Sequence, residues 1–171
     1  MLGDDPLWID AETKVAEAPA DHRDELRLWL RLLTCTTLIE TEIRRKLQRT
    51  CDFTLPRFDI LAQLEKAPDG LVLGEVSRRL MVSAGNITAI VDRLVADGLI
   101  TRSPAPHDRR VQVIRMTRKG RSAFKTMAEA HGGWVGDMFA DLDAGDIEAL
   151  MGLLGKLKGS VRTSLAKGTT P

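Results

Sequence analysis

From about His22 to Arg49 the chain has neither proline nor glycine, and side chains suited to burial return at helical spacing in two stripes. Leu26, Leu30, Leu33 and Thr37 form one; Leu28, Leu32, Cys35 and Ile39 form the other. One apolar stripe buries a helix against one neighbour, so two stripes predict a long helix with more than one partner surface. Thr54 followed by Pro56 marks a second helix start, because proline is tolerated in a first turn. Phe58, Leu61 and Leu64 make its buried face, and Pro68-Asp69-Gly70 ends it. A third helix, Glu75 to Met81, buries Val76 and Leu80, although Leu73-Gly74 offers it no side-chain cap. Ser83 caps a fourth helix that runs to Asp97, with Gly98 just past its end and Ile87, Val91 and Leu94 facing inward. After Leu99 the pattern shifts to a hairpin, in which LITRS, the turn PAPHDRR and VQVIRM reach Met116. Thr117 caps a fifth helix through Arg121, Phe124 and Met127, and Gly132-Gly133 predicts a bend further on. Asp143 caps the last helix, where Ile147, Leu150, Met151, Leu154, Leu157 and Val161 recur at helical spacing and Leu153 widens the stripe.

Three helices, a two-stranded ribbon and a helix give a mostly α class with a small β-wing, a winged helix-turn-helix. Its core is expected at 53–121. The stripes of 22–49 and 143–165 predict N- and C-terminal dimerisation helices, since too little chain remains to cover them. Together these make one domain over 22–165. The acidic, proline-bearing 1–21 and the tail 166–171 are expected to be flexible.

Composition narrows the function. Aromatic residues are 4% with no tyrosine, which argues against an aromatic platform for single strands. No uncharged apolar window of ~18 residues exists for a membrane span. The N-terminus lacks a basic region followed by an apolar one, so a cytoplasmic location is expected. Net charge is only +1, but between Leu71 and Arg121 ten Lys/Arg accompany four acids, while the rest of the chain holds 15 basic and 20 acidic residues. A basic middle between acidic ends suggests a face for a polyanion. The fourth helix sharpens this, since Ala84, Gly85, Asn86, Thr88, Ala89 and Arg93 lie outside its buried face. Solvated faces usually carry Glu and Lys; this one is cleared for close approach.

The stretch 73–121 resembles the core of the MarR family of bacterial transcriptional regulators. Val82-Ser83, Val91-Asp92-Arg93-Leu94, Asp97-Gly98-Leu99-Ile100, Asp108-Arg109-Arg110 and Met116-Thr117 with Gly120 carry the likeness, in order. The resemblance implies a dimeric repressor or activator on a pseudo-palindromic operator, with the fourth helix in the major groove and the ribbon as wing. Asn86 and Thr88 are then expected at base edges or phosphates, with Ser83 and Arg93 on the backbone. Arg78, Gly85, Asp108, Arg109 and Arg110 complete the expected DNA-contacting set. A slim ribbon tip can place an arginine in the narrow, electronegative minor groove. Asp108 is spaced to brace the Arg110 guanidinium, and the prolines of PAPHDRR stiffen the tip.

No enzyme is expected. HGGWVGD lacks phosphate-loop spacing, the GK at 155–156 lacks its upstream glycine and its Ser/Thr, and Ser83-Ala84-Gly85 stands in no nucleophile elbow. His22, His107 and His131 form no ligand-spaced cluster, so neither metal nor cofactor is expected. The resemblance places an effector pocket between the dimer helices and the winged domain. There Arg27, Trp29, Arg31, Thr34, His131 and Trp134 would suit an organic anion such as an aromatic carboxylate or acyl-CoA thioester. Two other readings stay open: redox sensing through Cys51 or Cys35, and a winged-helix interaction module without sequence readout.

Overall fold

The turns that flank α4 and α5 near Gly98 and Thr117 are closed by residues that answer a specific backbone need. The computed structural model describes residues 23–80, 83–105, 108 and 110–168. Its helices are α1 (Arg23–Cys51), α2 (Leu55–Glu65), α3 (Leu73–Leu80), α4 (Ala84–Ala96), α5 (Arg118–Met138) and α6 (Ala144–Lys167); its strands are β1 (Leu71–Val72), β2 (Ile100–Pro104) and β3 (Gln112–Met116). The protein is therefore mostly helical with a small antiparallel sheet of order β1-β3-β2. That is the winged helix-turn-helix expected from the pattern, with one addition. Leu71 and Val72 pair with Ile114 and Val113, so the ribbon gains a third strand. Two residues are too few to show the alternation by which a strand is read. The third helix also begins at Leu73, ahead of the expected Glu75, directly from that strand.

Gly98 sits at φ +70, where a side chain would be strained. The Leu99 N–H bonds back to Leu94 O at 3.0 Å and the Gly98 N–H to Val95 O at 2.9 Å, closing α4 with a paired C-terminal motif. Thr117 then receives the Gly120 N–H at 2.9 Å, and its hydroxyl reaches Gly98 O at 2.8 Å. One threonine thus caps α5 and ties it to the end of α4. The Ser83 hydroxyl makes no such bond, although Ser83 occupies the N-cap position with extended dihedrals.

The core of the first unit, which ends at His131, collects side chains from every element. Ile60, Leu61 and Leu64 of α2, Val76 of α3, Ile87, Val91 and Leu94 of α4 and Ile114 of β3 are almost entirely buried. Each such side chain stabilises the unit by about 1.5–3 kcal/mol before entropy is counted. Leu80 is only half-buried, short of the burial expected for it. Among the described side chains of α1 only Ile43 and Leu47 are buried; Leu26, Leu28, Leu33 and Leu38 stay exposed.

The second unit begins at Gly132. Gly132-Gly133, where a bend or loosened turn in a helix is expected, lies within the helical span of α5, which reaches Met138. Each glycine costs a helix about 1 kcal/mol relative to alanine, which packed flanking turns can outweigh. Asp143 caps α6 as expected, in a reciprocal pair with Asp146. None of the residues of α6 is buried, and its large apolar side chains, from Ile147 to Leu165, face outward. No helix of the described residues is long and apolar enough to cross a membrane, and among them no group of His, Cys, Asp and Glu could hold a metal.

Candidate nucleic-acid interface

The start of α4 carries no acid of its own, so the positive end of the helix dipole and its unpaired N–H groups meet no internal carboxylate. Ser83, Gly85 and Asn86 are exposed there, and Thr88 is half-buried one turn further on. The inward residues Ile87, Val91 and Leu94, each 0% exposed, fix which face is presented. Arg78 on α3 is also exposed. Thr88 and Arg110 line one cleft of about 410 Å³ between α3, α4 and the sheet. The helix face and the wing thus converge at Thr88.

Arg93 is far along α4 from Asn86, with its side chain 72% exposed and its Nε 3.7 Å from Asp97. Arg109, together with Pro106 and His107, lies outside the described residues.

The wing corrects one expectation. Asp108 accepts a hydrogen bond from the backbone N–H of Arg110 at 2.9 Å, and Val111 N–H bonds to Asp108 O at 3.0 Å. The acid therefore fixes the peptide of the turn. The expected brace on the guanidinium is replaced because a two-residue spacing lets a short carboxylate reach the nearby amide without immobilising a long side chain. Arg110 itself is exposed.

Two positioning contacts escaped the sequence reading. Arg102 of β2 donates to Asp92 of α4 at 3.0 Å, joining wing to helix. Arg57 of α2 pairs with Asp97 at the end of α4 across 40 residues. Both Asp92 and Asp97 lay inside stretches read for their motif, but nothing local names their partners.

The residues expected around an effector are distributed over both units. Arg27 and Arg31 share a depression of about 230 Å³ with Asp24 and Leu28 on α1 itself, and Trp29 and Thr34 are exposed on the same helix. His131 stacks on Phe58 with centroids 5.0 Å apart. Trp134 belongs to the second unit. Cys35 is exposed and Cys51 half-buried.

Burial against Phe58 holds the His131 pKa below its ordinary 6.5. The folded state resists a proton that the unfolded state takes up, so this group's contribution is complete above about pH 6.5 and declines as pH falls through that value. Asp59 has the opposite sign. Burial, then Glu40, raise its pKa above 3.8, so its folded form gains on acidification, at lower pH. Melting temperature is expected to drop from about pH 8 to about pH 5, and His131→Gln to flatten that slope. Parallel curves for the two proteins would show that His131 is not responsible.

Comparison with known proteins agrees with this fold. Residues 52–111 match the MarR family model. The transcriptional activatory protein BadR of Rhodopseudomonas palustris is 27% identical over 158 residues, covering 89% of this chain and 90% of that protein. The crystal structure of a MarR family transcriptional regulator from Silicibacter pomeroyi superposes with TM-score 0.69 at 29% identity, over 83% of this chain and 99% of that one. A mutant MarR from E. coli complexed with operator DNA shares the fold, with TM-score 0.69 at 22% identity over 81% and 99% of the two chains.

Proposed function

We propose that this chain, a DNA-binding transcriptional regulator of the MarR family, acts as a homodimer on a pseudo-palindromic operator and responds to a small organic anion. The observation that carries the DNA-reading part is the acid-free, exposed start of α4, converging with Arg110 of the wing. In this reading Asn86 and Thr88 meet base edges or phosphates, Ser83, Gly85, Arg78 and Arg93 sit along the backbone, and Arg109 and Arg110 approach the minor groove. Asn86→Ala is expected to cost about 1–3 kcal/mol of operator binding and to relax preference at one base pair. Gel shifts across single-base operator variants check this; an unchanged preference would remove Asn86 from base reading. Equal binding to every duplex would instead favour an interaction module without sequence readout.

Support for the homodimer comes from the exposed apolar side chains of α1 and those of α6, each of a kind that marks an interaction surface. A two-fold dimer would set two α4 helices on successive major grooves, about 34 Å apart. Occupying an operator that overlaps a promoter makes such a dimer a repressor. The name of the Rhodopseudomonas relative, an activatory protein, favours a second reading in which the same dimer activates; a reporter fused to the regulated promoter separates the two by sign.

For the effector, Arg27, Trp29, Arg31, Thr34, His131 and Trp134 remain the proposed contacts, because arginine and tryptophan are residue types suited to an aromatic carboxylate or acyl-CoA thioester. A thermal-shift screen of aromatic acids and their CoA esters tests this, and the absence of any stabilising anion would sink it. Such a protein works in the cytoplasm, where its operator is.

A further inference from the structure

Asp97 closes α4 and stands where two other elements, α2 and α5, meet it. Its carboxylate pairs with Arg57 of α2, whose side chain is 13% exposed, against 34% for Asp97. The Arg57 guanidinium also lies over the Phe53 ring, 4.1 Å from its centroid, so the cation is held from two sides. Lys119 of α5 donates its ammonium to the backbone carbonyl of Asp97 at 2.8 Å. Arg93 of α4 reaches the second carboxylate oxygen at 3.7 Å. Gly98 follows in the left-handed region, so the chain turns sharply beyond this point.

These contacts differ from ordinary surface pairs. An exposed ion pair contributes little because water screens it and two long side chains must be ordered. Here Arg57 is already ordered by its ring contact and is largely desolvated. Its Nε is buried without a hydrogen-bond partner, so losing Asp97 would leave a desolvated cation with its main partner gone.

We infer that Asp97 is a positioning residue for operator reading: with Arg57 and Lys119 it clasps the C-terminal end of α4 and so sets the angle at which the opposite end meets DNA. The lever is geometric. Asn86 lies about 16 Å from Asp97 along the helix axis at 1.5 Å per residue, so a small rotation at the clasp displaces Asn86 relative to a base edge. Hydrogen bonds to bases tolerate little displacement, whereas contacts to the phosphates tolerate more. Loss of the clasp therefore weakens specific binding and spares non-specific binding. This inference rests on the proposed sequence-specific reading by α4.

The sign makes it testable. Asp97→Asn removes a negative charge from a DNA-binding unit, and simple electrostatics predicts tighter binding to any duplex. The clasp predicts a roughly tenfold loss of specific affinity, with non-specific affinity unchanged or slightly higher. The full chain is titrated with its operator and with a scrambled duplex, for wild type, Asp97→Asn, Lys119→Met and the exchange Arg57→Asp with Asp97→Arg. The exchange restores the pair with its charges reversed and should recover part of the specific-to-scrambled ratio lost in Asp97→Asn. A ratio unchanged or raised in Asp97→Asn overturns the inference. Amide hydrogen exchange on the same proteins without DNA supplies a second reading. Val95, Ala96 and Asp97 should exchange faster in Asp97→Asn, while amides of Leu61 and Leu64 keep wild-type protection. Equal protection along α4 overturns the inference even where no operator has been found, and failure of wild type to prefer any duplex, with faster α4 exchange in the variant, counts against the DNA reading and leaves the clasp standing.

Discussion

Removing everything after Asp141 is expected to destroy the folded dimer, leaving a chain that aggregates or unfolds and no longer shifts operator DNA. The truncation deletes α6, whose Ile147, Leu150, Met151, Leu153, Leu154, Val161 and Leu165 are between 43% and 69% exposed. In the proposed assembly these side chains meet their counterparts and α1 from both chains. Without them Leu26, Leu28, Trp29 and Leu33 of α1, which are 41–57% exposed, stay in water. Burial of one such side chain stabilises by about 1.5–3 kcal/mol, so losing several exceeds the usual margin of ~5–15 kcal/mol. Light scattering and circular dichroism check the product. A soluble, folded monomer would show that these helices are not the interface, and operator binding by that monomer would remove the need for a dimer altogether.

What could be read from the sequence, and what could not, divides by the range of the interaction. The inward set Ile87, Val91 and Leu94 was visible because helical spacing depends only on neighbours in sequence, and all three prove fully buried. Thr117 and Asp143 were legible as caps for the same reason. Ser83 carried the same signal without forming the bond, because a cap position permits the hydrogen bond and does not compel it. In α1 the stripes located a helix, yet the residues that enter the core are Ile43 and Leu47. Periodicity identifies a face but not the neighbour that covers it. Arg57 and Asp97 had no local signal at all, since 40 residues separate them. The basic middle and the small-residue face of α4 were visible as composition; their convergence with Arg110 on one cleft required the fold.

The wing tip yields the sharpest test. Arg110→Ala is expected to weaken operator binding and to lower the slope of log affinity against log salt by about 0.9, because one fewer counterion is released. For Asp108 the structure changes the prediction that residue spacing alone suggested. A carboxylate bracing the guanidinium would need its charge, whereas the observed bond goes to the Arg110 backbone N–H, which a neutral amide oxygen can equally accept. Asp108→Asn should therefore keep the turn, lose a negative charge near DNA and bind at least as tightly as wild type. Asp108→Ala should release the turn and bind more weakly, despite the same change in charge. Combined with Arg110→Ala, the alanine at 108 should matter much less, since the side chain that the turn presents is gone. The measurement is the affinity of all five proteins for one operator across a salt series. Equal weakening by Asp108→Asn and Asp108→Ala would restore the ion-pair brace, and tighter binding by Asp108→Ala in both backgrounds would show that the acid organises nothing at the tip.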